Sequence, residues 1–62
     1  MNAQDRENKL IWAIEKARDE GSDRPLRWAE RVGCVKGANQ RRQAFNMAMK
    51  GDYEGALARM RE

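Results

Sequence analysis

Apolar positions recur along this chain at the spacing of short helices, and glycines punctuate the stretches between them. Ala3, Leu10, Ile14 and Ala17 share one face of a stretch from about Gln4 to Glu20, with Ile11 flanking them. Gly21 stands where a helix C′ residue takes positive φ at no steric cost. Ser22 and Asp23 then offer N-cap oxygens. Pro25 suits the first turn of a second helix, where an N–H would lack a partner anyway. That helix runs from about Pro25 to Val32, with Leu26, Ala29 and Val32 on its apolar side and Arg24, Arg27 and Arg31 opposite. At about 100° per residue the two groups are centred roughly half a turn apart. Gly33 ends this helix, and Gly33-Cys34-Val35-Lys36-Gly37 forms a turn. A third helix is predicted from about Ala38 to Lys50, with Ala44, Phe45, Ala48 and Met49 inward. Gly51 stops it and Asp52 caps a fourth, whose Tyr53, Ala56, Leu57 and Met60 face the core. Gly55 weakens that helix by up to about 1 kcal/mol relative to Ala. Short links between short helices predict an all-α fold: a small bundle of three to four short helices with a helix-turn-helix-like middle, one domain over residues 1–62.

Size then limits what this bundle does. A chain of 62 residues, 40% hydrophobic and 37% charged, has a thin core. It buries only about 60% of its unfolded surface. Self-association or a target would add burial. No apolar run approaches the roughly 18–20 residues that span a bilayer, and Met1-Asn2-Ala3-Gln4-Asp5 lacks the basic start and apolar stretch of a secretory signal. The single Cys34 has no internal disulfide partner, so a soluble protein of a reducing, cytoplasmic compartment is expected. Catalysis is not expected. There is no His and no Thr, and Ser22 is the only serine, so the usual base at neutral pH and the hydroxyl it would activate are both missing. One Cys without His makes no zinc site, and no cofactor is implied.

Charge is distributed unevenly. From Arg24 to Gly51 seven Lys/Arg (Arg24, Arg27, Arg31, Lys36, Arg41, Arg42, Lys50) meet one acid, Glu30, for a formal +6, whereas residues 1–23 carry −2 and residues 52–62 carry −1. Charges gathered within a Debye length of roughly 8–10 Å act together on a polyanion. The outer face of the third helix collects Asn39, Gln40, Arg42, Gln43, Asn46 and Lys50. Asn and Gln pair bidentately with adenine, and Arg with guanine. Lys36 and the Arg24/Arg27/Arg31 stripe suit phosphates. The expected role is nucleic-acid binding, DNA in particular, by a regulator whose third helix reads bases. The alternative is a protein-interaction module, an adaptor or inhibitor docking on an acidic surface, with a homodimer as one form. Trp12, opposite Leu10 and Ile14 among Asp5, Lys9, Lys16 and Asp19, and Met47, off the apolar side of its helix, are the anchors for that reading. Trp28 lies at the border of its helix's apolar side and is expected in the core.

The stretch Leu26-Arg27-Trp28-Ala29-Glu30-Arg31-Val32-Gly33-Cys34 resembles the first helix and turn of helix-turn-helix DNA-binding families, through an Ala in the helix and a Gly four residues on. With Ala38–Arg42 the resemblance covers about a third of the chain. It implies a positioning helix followed by a reading helix. The chain departs from the pattern at Asn39 and Arg42, near positions where buried aliphatics belong, and at Gly37. Lys50-Gly51-Asp52-Tyr53-Glu54-Gly55-Ala56-Leu57 is similar to the inter-helix turn of a tetratricopeptide repeat, but it occurs once, and an array needs about three units.

Overall fold

A computed structural model describes residues 1–62 as four helices and no strand: α1 (Ala3–Glu20), α2 (Arg24–Arg31), α3 (Asn39–Met49) and α4 (Tyr53–Met60). Each predicted boundary lies within one residue of the observed one: side-chain caps mark the starts of α1 and α4, and positive-φ glycines follow the ends of α1, α2 and α3. Asn2 caps α1 by accepting the Asp5 N–H at 2.9 Å. Gly21 closes the helix at φ 65°, with its N–H donating to the Ala17 carbonyl. Ser22 Oγ accepts the Arg24 N–H at 3.2 Å. Asp23 stands at the N-cap of α2 but makes no cap bond; its carboxylate accepts from Arg27 instead. Asp52 caps α4 by accepting the Gly55 N–H at 3.0 Å.

The helices form two pairs. α3 packs chiefly on α4 and α1 on α2; α1 also lies against α4 and α3, whereas α2 and α3 touch little and α2 and α4 not at all. Leu10, Ala13, Ile14 and Ala17 of α1, Leu26 and Ala29 of α2, Ala44, Phe45 and Ala48 of α3, and Ala56, Leu57 and Met60 of α4 make one core. Six of those twelve are alanines, so the helix axes approach closely without large side chains between them.

Several positions differ from expectation, beginning with Ala3, which is exposed although it shares the apolar face of α1. Val32 is 38% exposed and Met49 40% exposed. Met47, read as a partner contact, is half-buried and packs on the core. In α3 the reason is the position of α4: it covers the Gln40/Met47 flank, which turns the buried arc of α3 toward that flank and leaves Met49 in solvent. The segment between α2 and α3 also does more than turn. Cys34 and Val35 enter the core, at 0% and 2% exposure, and supply the apolar volume expected of Val32 and Met49. This connection, Val32 to Ala38, is seven residues long, against the three or four of a helix-turn-helix turn.

Candidate nucleic-acid interface

Two arginines hold the connection into α3. Arg41 lies three residues before Ala44 and four before Phe45, on the core side of α3, and is 5% exposed. Its Nε donates to the Cys34 carbonyl at 2.9 Å, and a second guanidinium nitrogen donates to the Lys36 carbonyl. Arg6, one turn before Leu10 on α1, donates to the same Lys36 carbonyl at 3.1 Å. Neither guanidinium has a carboxylate partner. Backbone carbonyls supply acceptors to Arg41 and to one nitrogen of Arg6, whereas Arg6 Nε is buried without a partner. Gly37 lies between them at φ 90°, where an added Cβ would stand 3.2 Å from Arg6 Nη1 and 3.5 Å from Arg41 Nη2. Arg41 is therefore a structural cation, and the basic surface is smaller than the charge of the segment suggests.

The start of α3 lies beside this clamp, with Asn39 exposed. Ala38, the N-cap, has no side-chain oxygen, and the first turn of α3 holds no acid. The first N–H groups of α3, at the positive end of the helix dipole, thus have no side-chain cap, and beside this end lies a shallow cleft of about 360 Å³ lined by Val35, Lys36, Gly37, Ala38, Asn39 and Arg42. Beyond it Asn39, Gln43, Asn46 and Lys50 are exposed on the outward face of α3. Arg42 is exposed at their edge, 3.5 Å from the Glu30 carboxylate and 5.8 Å from the Phe45 ring centroid. That ion pair is the contact joining the outer surface of α2 to that of α3. Gln40 leaves the set: half-buried, its amide donates to the Arg59 carbonyl at 2.7 Å and ties α3 to α4.

On α2 the stripe is exposed but unequal. Arg24 and Arg31 have no carboxylate partner, nor do Lys36 and Lys50, whereas Arg27 Nε donates to Asp23 at 3.0 Å. The acids that engage this surface, Asp23 and Glu30, come from α2 and its N-cap, and none comes from α1.

Trp12 is 49% exposed. Trp28, expected in the core, is only half-buried and meets Trp12 edge to face, with ring centroids 5.4 Å apart at 74°. With Asn8 and Lys9 the two rings line a second cleft of about 390 Å³.

Burial pushes the Cys34 thiol above its ordinary range, and the nearby charges of Lys9, Arg41 and Arg6 oppose that shift without cancelling it. The thiol is fully buried in the core, where its neutral form is favoured. No three His, Cys, Asp or Glu converge as a metal site, and no helix is long and apolar enough to cross a membrane.

Arg6 and Arg41 are the residues that sequence reasoning missed. Their signal was present: each is a charged residue in helical register with the core positions of its own helix. Comparisons with protein families, with curated proteins and with solved structures find no match to this chain.

Proposed function

We propose that this chain is a small helical nucleic-acid-binding protein in which α3 lies against bases and α2 and the α2–α3 connection lie against phosphates. The observation that carries the reading is the start of α3. An uncapped helix N-terminus adjoins a cleft flanked by Lys36 and Arg42, at the head of a face made of Asn39, Gln43, Asn46 and Lys50. A phosphate at such an end accepts backbone N–H groups and meets the positive pole of the dipole. Anchored there, the helix presents its amides to neighbouring base edges. Arg24, Arg31, Lys36 and Lys50, without carboxylate partners, are the phosphate contacts; Arg27 and Arg42 must first leave Asp23 and Glu30.

About four such contacts give a log–log salt slope near −4 on duplex DNA. A mobility-shift or anisotropy titration from low to moderate salt measures it. Lys36→Ala is expected to weaken binding to all sequences and flatten the slope by about one, whereas Gln43→Ala is expected to alter sequence preference. No complex at tens of micromolar protein and low salt, with helicity intact, would remove the proposal.

A further inference from the structure

The α1–α2 cleft lies outside the proposed nucleic-acid surface, and its chemistry is different. Trp12 and Trp28 give it a wall of exposed ring surface that is almost entirely apolar. Its polar rim is Asn8 and Lys9. The Asn8 Oδ1 accepts from Gln4 Nε2 at 3.0 Å, and the N–H donors of the Asn8 amide have no partner within the chain. Lys9 Nζ has no carboxylate within ion-pair reach, and its acceptor is the Met1 sulfur at 3.7 Å, a weak one. Lys16, the next cation along α1, is engaged with Glu20 at 3.8 Å and lies 5.9 Å from the Trp12 ring centroid. The cleft thus combines an apolar wall with a rim of hydrogen-bond donors, one of them a cation without a counter-charge.

We propose that this cleft binds a segment of another protein through one apolar side chain, seated against Trp12 and Trp28, and an adjacent carboxylate, held by Lys9 and the Asn8 amide. Charge complementarity selects this occupant. A second copy of the chain docked isologously would bring two uncompensated Lys9 side chains into one interface whose lining holds no acid to answer either. A nucleic-acid strand would bring a continuous polyanion to a region, residues 1–23, whose formal charge is −2. A single carboxylate at Lys9 avoids most of that repulsion. Half-exposed tryptophan is also the residue type most often energetically dominant at protein interfaces.

Blocked short peptides are the probes: one with a central Phe-Asp, one with Phe-Lys and one with Ala-Asp. They are titrated to several millimolar against the full chain, and the side-chain N–H resonances of Trp12, Trp28 and Asn8 are followed. The Phe-Asp peptide is expected to shift all three saturably and to bind at least fivefold more tightly than either control. Lys9→Glu is expected to reverse the preference toward Phe-Lys. Trp12→Ala is expected to weaken the Phe-Asp peptide at least fivefold with the Leu10 and Ile14 methyl resonances unchanged. Equal binding of the three peptides, or no saturable shift, overturns the proposal. So does a single-stranded oligonucleotide that moves the indole signals while the Phe-Asp peptide leaves them unmoved, or an indole shift that tracks protein concentration alone. Retention of duplex DNA binding by Lys9→Glu and Trp12→Ala keeps this test separate from that of the α3 surface.

Discussion

Arg41 shows how one side chain changes the meaning of a charge pattern. Counted along the chain it belongs to a basic segment; folded, it is 95% removed from solvent and bonded to carbonyls of the connection that leads into its own helix. A charged donor aimed at a backbone acceptor contributes about 1.5–3 kcal/mol, and its removal leaves a buried acceptor without a partner. Arg41→Ala is therefore expected to destabilise by about 2–3 kcal/mol. Gly37→Ala, which forces a side chain into positive φ beside both guanidiniums, is expected to cost about 1–3 kcal/mol. Urea unfolding measures both. A loss under about half a kilocalorie in either case would show that the connection does not depend on this clamp.

Among the elements, α4 carries a local conflict. Gly55 interrupts a helix for which Ala would be better by about 1 kcal/mol, yet a Cβ there would collide with the Asp52 carboxylate that caps the helix. Gly55→Ala in the intact protein thus gains propensity and disturbs a cap worth about 1 kcal/mol, for a net change near zero. With Asp52→Ala already in place the same substitution meets no carboxylate, and it is expected to stabilise by about 1 kcal/mol. The double-mutant cycle reads this directly, since residues in contact are not additive. Additive effects would mean that Asp52 moves aside freely. The boundaries of α1 and α4 were legible in the sequence for the same local reason: Gly21 and Asp52 act within their own turns. Which flank of α3 is buried was not legible, because α4 decides it.

For the molecule as a whole, the thin core makes each buried group count. Cys34 is fully buried in a structure of 15 buried residues. Its folded pKa is raised, first by burial, so the neutral thiol is the form the fold favours. The stability this contributes is complete below about pH 8.5, where the unfolded thiol ionises, and is lost as pH rises through the folded value. Between pH 7.5 and 9.5 the urea midpoint of the wild type is expected to fall more than that of Cys34→Ala. In the folded protein a thiol reagent is expected to react slowly, at a rate that rises with added urea. Parallel pH profiles for the two proteins would mean that the buried thiol ionises without cost.

Taken alone, the sequence determined what acts over one or two helical turns. Apolar spacing, glycine and proline positions and capping side chains fixed an all-helical chain and the ends of its helices. It also marked which side of α2 carries Arg24, Arg27 and Arg31. Only the tertiary structure decided which polar groups remain for a partner, because that depends on groups distant in the chain. Lys36 receives Arg6 from thirty residues away, Gln40 reaches Arg59 across nineteen, and Trp28 meets Trp12 across the joint between two helices. A hydrogen bond or a ring contact forms where packing brings two atoms together, and no local periodicity encodes that distance.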